Sequence, residues 1–474
     1  MTDPHLCADI HQDAVDALAS QLTGSLFTPG DPGYTAEAVA FNLRSQHRPL
    51  LIVAAADHAD VRAAVRFAAA HGLPVGVMAT GHQPFPLADR FVLITTRGMG
   101  AVEIDAARRT ARVEAGAVWG DVVEAARTAG LAPLNGSSPG VGVVGYVLGG
   151  GLSPVLGRKY GWAADHVSAI DVVTADGQLR HLTEDSEPEL FRSMRGGRSN
   201  FGVVTSMEIG LFPVTSFYGG GIFYTAEHTA AVLHAYRDVV GRAPDELTCS
   251  VALLNFPPVP EVPEMLRGRF TVHVRIAFLG EAEEAEKLIA PFRTVAPALI
   301  DTTGEQPYSA FAAVHQDPTD PAPYEEQGTL LATLPGAAVD TVVARTGPHS
   351  GSPVTVLEIR HLGGALGESH VGASVVAARE ARFTVWGATV GPPEVTGAGT
   401  EVMEALMAEL RPWATGRTYQ NFASRETTAD DIFAPEELER LRRIKKLYDP
   451  ANLFRVNNHN IAPAMDPVTA DAER

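Results

Sequence analysis

Residues 50–78 carry the pattern that most constrains the fold. Apolar runs at 50–53 and 74–78 enclose a segment, residues 57–70, whose apolar side chains recur at helical spacing. Gly72 then ends the predicted helix. A strand, a helix and a second strand in so few residues form a compact β-α-β unit, so the sequence predicts parallel strands here.

The rest of the chain divides into two kinds of predicted structure at about residue 213. The first half has short apolar strands and a hairpin, at residues 91–94, 102–104, 111–114, 169–173 and 201–205. In the second half, long alternating runs such as 270–276 and 354–361 are separated by helical stretches such as 281–290. This pattern indicates an antiparallel sheet with helices on one face, and a last helix is predicted at 435–447.

The composition excludes several classes of function. The formal net charge is −19, which argues against binding to nucleic acid or to an anionic membrane surface. Cys7 and Cys249 lie far apart in sequence and indicate neither a disulfide framework nor a cysteine metal site. The first residues lack the pattern of a signal peptide, and no apolar run reaches the length of a membrane span, so we expect a cytoplasmic protein.

Five short motifs carry groups suited to chemistry, and each is a weak signal alone. In the first, Gly81 directly follows a strand and allows close backbone approach to an anion, while His82 offers a nucleophilic imidazole. The second is rich in glycine but fits neither the dinucleotide-binding fingerprint nor a P-loop. The motifs occupy residues 79–83, 141–151, 195–205, 419–422 and 448–461.

Taken in order, these motifs resemble those of the berberine-bridge-enzyme-like flavoproteins, over residues 34–461. Their FAD domain is of the type shared with vanillyl-alcohol oxidase and p-cresol methylhydroxylase (PCMH). The resemblance implies an α+β fold with a two-lobed PCMH-type FAD-binding domain at residues 1–213, with its core at about 46–213. It also implies a substrate domain at 214–415, an antiparallel sheet covered by helices, and a segment at 416–474 that returns to the FAD domain.

The resemblance also implies where FAD is held. The family's Gly-His pair corresponds to Gly81 and His82, so we expect His82 to bond covalently to the flavin. Many relatives add a cysteinyl bond, but the corresponding residue here is Ser138, so we expect a single bond, as in relatives from bacterial natural-product pathways. The other residues expected to contact FAD are Ala79, Thr80, Gln83, Val141, Gly142, Gly145, Gly149, Gly202, Val204, Asn421 and one or both of Asn457 and Asn458.

Two residues are predicted to act in catalysis. Tyr419, in the family's Tyr-x-Asn element, is the predicted base. Glu358 shares a strand face with Arg360; facing the flavin it would be a second base, and facing solvent an ordinary surface charge. No metal site is predicted, because His361 and His370 form no recognisable ligand pattern.

The predicted activity is that of an FAD-dependent oxidase. The partners expected are a small organic donor, an alcohol or an activated C–H compound, and O2, because the small, β-branched Val141 lies where relatives control oxygen access. The alternative is a flavin monooxygenase or oxidative cyclase acting on a polyketide-type metabolite. A dehydrogenase that avoids O2, an NADPH-dependent reductase with unlinked flavin and a flavin-binding protein without activity are further alternatives. The substrate and the oligomeric state are not predicted.

Overall fold

The computed structural model describes residues 10–83, 88–369 and 372–464. Its helices are α1 (Gln12–Ala19), α2 (Tyr34–Ala38), α3 (His58–Ala70), α4 (Trp119–Arg127), α5 (Val143–Leu148), α6 (Gly157–Tyr160), α7 (Pro188–Gly197), α8 (Thr229–Val240), α9 (Ala282–Val295), α10 (Gly336–Thr346), α11 (Pro393–Leu410), α12 (Ala429–Ile432) and α13 (Pro435–Tyr448). Within those residues, no helix combines the length and the apolar character needed to cross a membrane.

The first sheet contains the predicted β-α-β unit. Its strands are β1 (Ser25–Phe27), β2 (Leu51–Ala54), β3 (Val75–Met78) and β4 (Val92–Thr95), in the order β1-β2-β4-β3. The prediction of parallel strands is confirmed, but β2 and β3 do not pair directly, because β4 lies between them and pairs with both. All four residues of β4 are buried, as a central strand between covered faces requires.

The second sheet is antiparallel and includes the predicted hairpin. Its strands are β5 (Val102–Asp105), β6 (Thr110–Glu114), β7 (Ala132–Pro133), β8 (Val167–Val173), β9 (Leu179–Leu182) and β10 (Val203–Phe212). The long β10 pairs with β6, β7 and β8 and so holds the sheet together.

The third sheet forms the second half of the molecule and is antiparallel throughout, as predicted. Its strands are β11 (Ser216–Thr225), β12 (Leu247–Asn255), β13 (Phe270–Phe278), β14 (Ile300–Asp301), β15 (Gly304–Pro307), β16 (Tyr324–Leu331), β17 (Val356–His361) and β18 (Phe383–Val390). Helices α8 to α11 bury their apolar sides in one core cluster with this sheet. The opposite face of β16, β17 and β18 faces the half of the molecule that contains the first two sheets.

The C-terminal segment returns to the first sheet after α13. Lys445 and Asp449 are fully buried and form an ion pair of 2.7 Å. Asp449 also accepts hydrogen bonds from the backbone amides of Leu453 (2.7 Å) and Phe454 (2.9 Å). Because Val456 then bridges to Gly76 of β3, this buried pair fixes the path of residues 453–458 along the edge of the functional site.

Candidate active site

A turn directly after β3 forms the floor of the site. Gly81 has a φ of 73°, and a Cβ there would lie 2.7 Å from the Cα of Ala40. Both the left-handed backbone and the close packing therefore require glycine. The backbone carbonyls of Thr80 and Gly81 accept hydrogen bonds from the amides of Phe41 (3.1 Å) and Asn42 (3.2 Å), so the turn is held rigidly.

His82 projects from this turn and is fixed on two sides. Its ring stacks on Phe41 with centroids 3.9 Å apart and planes 12° apart, and its Nδ1 lies 2.9 Å from the hydroxyl oxygen of Thr80. Burial lowers the pKa of His82 to about 4, although the charge of Asp317 opposes this shift. The imidazole is therefore neutral at physiological pH and keeps a lone pair for nucleophilic attack.

A cleft with a cavity volume of about 400 Å³ opens beside His82. Most residues predicted to contact FAD meet in its wall, although all of them except Ser138 come from five separate motifs. The lining includes Ala79, Thr80, Gly81, His82, Gln83, Ser138, Val141, Gly142, Gly145, Gly202, Val204, Asn421, Asn457 and Asn458.

The glycine-rich segment supplies one backbone wall of the cleft. Gly142 precedes α5, and its amide donates to the Thr80 hydroxyl over 3.4 Å. A Cβ on Gly145 would meet no described atom within 4 Å, so this wall faces open space rather than packed protein. Gly149 does not line the cleft: a Cβ there would lie 1.8 Å from Oδ1 of Asn421, so its glycine is required by packing. A cleft with apolar and backbone walls fits a planar, polar-edged group such as FAD.

Arg198 joins three of the motifs and was not among the residues predicted from sequence. Its Nη2 donates to the carbonyl of Gln420 (2.8 Å), to Oδ1 of Asn421 and to Oε1 of Gln83. Burial lowers the pKa of this guanidinium to about 10, so it remains a cation at the cleft wall. The sequence feature that could have identified Arg198 as a site residue is its position beside the Gly196–Gly197 turn.

Tyr419 lies outside the cleft lining, which argues against its predicted role as a base. Its side chain is only 3% exposed and packs between Trp162 and Phe422. Its hydroxyl accepts a hydrogen bond of 3.0 Å from Nδ2 of Asn421, and burial raises its pKa well above 10. Tyr419 is thus placed to orient Asn421, which does line the cleft.

Glu358 faces the cleft, which settles the alternative left open by the sequence, but it is locked in an ion cluster. Arg360 donates to it over 2.9 Å, Arg275 lies 3.1 Å away and Nε2 of His315 lies 3.3 Å away. Although burial opposes ionisation, the two guanidinium groups hold the pKa of Glu358 well below its usual range. A carboxylate held this firmly in its charged form is a poor proton acceptor near neutral pH.

The two neighbouring asparagines at the C-terminal edge differ in their bonding. Nδ2 of Asn457 donates to the carbonyl of Phe454 (2.6 Å) and to Oδ1 of Asn200 (3.1 Å), so its amide is used in holding the segment. Asn458 has no hydrogen bond within the described part of the chain, and it lines the same cleft. Its amide is therefore available to a bound group.

The third sheet forms the roof of the cleft, and sequence reasoning missed most of it. Alternate residues of β16, β17 and β18 point downwards, as the period of a strand requires. The roof consists of Tyr324 and Glu326 on β16, Val356, Glu358 and Arg360 on β17, and Trp386, Ala388 and Val390 on β18. The hydroxyl of Tyr324 donates to the backbone carbonyl of His82 and so ties the roof to the floor.

Metal chemistry has no visible basis in this part of the molecule. Across the described ranges, no group of three or more His, Cys, Asp or Glu side chains is arranged to hold a metal ion. His370, considered above as a ligand, lies outside the described residues, as does Cys7.

Comparison with known proteins agrees with this site. A family model described as an FAD binding domain matches residues 49–183, which include the floor turn and the glycine-rich wall. A second, described as berberine and berberine like, matches residues 418–462, which include Asn421 and Asn458.

Individual relatives match over nearly the full length. The (R)-6-hydroxynicotine oxidase of Paenarthrobacter nicotinovorans is 29% identical over 475 residues, covering 93% of this chain and 97% of that protein. The crystal structure of 6-hydroxy-D-nicotine oxidase from Arthrobacter nicotinovorans has a TM-score of 0.81 at 27% identity, covering 94% of this chain and 98% of the other. BBE-like 1 of Physcomitrella patens has a TM-score of 0.83 at 19% identity, over 96% of this chain and 100% of the other, and shows the fold alone.

Proposed function

This chain belongs to the berberine-bridge-enzyme-like FAD-dependent oxidoreductases, and on that premise we propose that it is an oxidase with FAD bonded to His82. In this proposal it oxidises a small organic donor and uses O2 as the electron acceptor. The proposal of a covalent bond rests on the state of His82. Its imidazole is neutral, and Phe41 and Thr80 hold it in place at the wall of the cleft. A nucleophile that is already deprotonated and oriented needs no separate base to react.

Ser138 and Cys249 both favour a single bond to the flavin, through His82 alone. This serine lines the cleft where a cysteine would be needed for a second bond. Cys249 lies in β12 and is buried, and burial raises the pKa of its thiol, so it is neither placed nor activated for attack.

The remaining cleft residues supply binding and orientation. Arg198 places a cation beside Gln83 and Asn421, where it would stabilise negative charge on a bound ring. Asn458 offers an unused amide at the C-terminal edge. Trp386 and Tyr324 of the roof lie over the site, where they would shield a bound donor from water. When bound, FAD supplies the acceptor for a hydride and passes the electrons to O2.

Two observations favour O2 over another acceptor. Val141 lines the cleft with a small β-branched side chain, at the position where the family resemblance implies control of oxygen access. One relative that matches nearly the whole chain is named (R)-6-hydroxynicotine oxidase. A suitable donor panel therefore contains (R)-6-hydroxynicotine together with secondary alcohols and sugars.

The covalent bond is tested by denaturing the protein, separating it on a gel and recording flavin fluorescence on the band. We expect fluorescence for the wild type and none for His82→Ala. The matched control is His71→Ala, which removes a histidine at the end of α3 and should leave the fluorescence unchanged. Fluorescence that survives in the His82 variant would overturn the proposed bond.

The oxidase activity is tested by measuring H2O2 and O2 consumption with the donor panel. The expected result is one H2O2 formed per donor oxidised. Incorporation of ¹⁸O from labelled O2 into the product would instead establish the monooxygenase alternative. Reduction of the flavin without any O2 consumption would establish a dehydrogenase.

A further inference from the structure

Four acidic side chains line the cleft, and they differ in what surrounds them: Asp317, Asp320, Glu326 and Glu358. Asp320 is exposed to solvent. Glu358 is held as an anion by Arg275, Arg360 and His315. Asp317 acts electrostatically on His82 and on Arg360. Glu326 is the member of this group that has an uncharged hydrogen-bond donor and no ion pair among the described residues.

The sheet register places Glu326 towards the interior of the roof. Glu326 pairs with Ala388 of β18, which in turn pairs with Val356 of β17. Ala388 lies directly opposite Glu326 on the neighbouring strand, and because its side chain is small it leaves space beside the Glu326 carboxyl on the cleft side of the sheet. Trp386 donates its indole N–H to Oε2 of Glu326 over 2.8 Å, whereas Oε1 has no hydrogen bond within the described residues. One oxygen is therefore oriented by Trp386 and the other is left for a bound molecule.

Burial, together with the groups around it, sets the proton affinity of Glu326 near neutrality. Burial raises its pKa to about 7, and the Trp386 hydrogen bond and the cation of Arg198 limit the rise. Glu325, the neighbour on the other face of β16, adds to the rise, and Tyr324 shares the cleft face and interacts with it electrostatically. A general base is most effective when its pKa lies near the working pH.

We propose that Glu326 is the proton acceptor for the donor in this cleft. This inference rests on the proposed oxidase function and replaces Tyr419 and Glu358 as the base. The donor's C–OH becomes C=O: the hydroxyl proton passes to Oε1 of Glu326, and the two electrons of the C–H bond leave with the hydride for FAD. Trp386 holds the carboxylate in place and is a positioning residue.

The decisive experiment is a pH profile of anaerobic flavin reduction by the alcohols and sugars of the donor panel. The wild type should lose rate about tenfold per pH unit below a midpoint near pH 7, because protonated Glu326 accepts no proton. Glu326→Gln should reduce flavin about 10²- to 10⁴-fold more slowly at pH 9 and lose this acid limb. Glu325→Gln is the matched control: its side chain lies 3.0 Å from Arg44 on the other face, so it should keep the acid limb, with the midpoint moved slightly to lower pH because the Glu325 charge no longer raises the pKa of Glu326.

Two further measurements protect the test against a misfolded variant. An infrared difference titration of the flavin-loaded protein should show a carboxyl band with a midpoint near pH 7, kept in Glu325→Gln and missing in Glu326→Gln. Trp386→Phe removes the donor that stabilises the carboxylate, so its acid limb should move to higher pH.

The outcomes separate this inference from the proposed function. An acid limb that persists in Glu326→Gln, or that disappears in Asp317→Asn instead, overturns the role of Glu326 and leaves the oxidase standing. If no donor in the panel reduces the wild-type flavin, the proposed function fails, and the role of Glu326 fails with it. The infrared band then shows only whether the carboxyl titrates near pH 7.

Discussion

Glu326→Gln should stabilise the protein, and by an amount that depends on pH. Glutamine has nearly the same shape and can still accept the Trp386 hydrogen bond, so the substitution removes the charge and little else. The folded-state pKa of Glu326 is about 7, raised from 4.5. Below pH 4.5 the carboxyl is protonated in both states and its ionisation costs nothing. As pH rises, the unfolded chain ionises first, and the folded state loses stability until the pH exceeds 7.

The size of the effect follows from the same two values. Integrated from pH 5 to pH 8.5, a shift of this size corresponds to about 2 to 3 kcal/mol of lost folding stability in the wild type. The Glu326→Gln variant has no ionisable group at this position, so it loses none of this folding stability. The stability of Glu326→Gln relative to the wild type should therefore rise by about 2 to 3 kcal/mol over that range.

The assay is urea unfolding of both proteins at the two pH values, followed by tryptophan fluorescence. The midpoints should differ little at pH 5 and clearly at pH 8.5, with the variant the more stable. Glu325→Gln loses a partly buried ion pair with Arg44 and should change stability by a similar amount, about 1 kcal/mol or less, at either pH. An equal difference at both pH values, or a variant that is less stable at pH 8.5, would refute the argument that Glu326 is held in a site that disfavours its charge.

Three other substitutions test the site. Lys445→Met should destabilise the fold by about 3 to 5 kcal/mol in urea unfolding, because it leaves Asp449 buried without its cation, whereas Arg443→Met on the exposed side of α13 should cost little. Tyr419→Phe should leave the midpoint of the acid limb in flavin reduction unchanged, and a shifted midpoint would restore Tyr419 as a base. Gly202→Ala should lower both the FAD content, read from absorbance, and the unfolding midpoint, because its Cβ would lie 2.5 Å from Cγ2 of Val172.

The floor of the site could be predicted from sequence because its determinants are local. The strand β3 and the glycine that follows it fix the turn, and His82 occupies the next position of the same short segment. The glycine-rich wall was also predicted, although Gly149 was assigned to FAD and instead packs against Asn421. Here a local motif identified the segment, but not which of its glycines faces the cleft.

The roof could not be predicted in the same way. β16 begins with Tyr324-Glu325-Glu326-Gln327-Gly328, which has no apolar alternation and gives no signal of a strand with one face buried. Its cleft face is defined only by its pairing with β18, more than fifty residues later in the chain. Arg198 was missed for a similar reason, since its partners come from motifs on both sides of it in sequence.

The two adjacent glutamates of β16 show how much depends on that pairing. Glu325 points away from the cleft and is neutralised by Arg44, at 3.0 Å, and Arg425, at 3.6 Å. Glu326 points into the cleft, where no described carboxylate–cation pair holds it as an anion. A shift of one residue in the register would exchange their positions, placing Glu325 in the cleft and Glu326 on the face with Arg44. The proton acceptor is therefore determined by the pleat and register of an edge strand, so composition and motif alone could identify the cofactor but not the base.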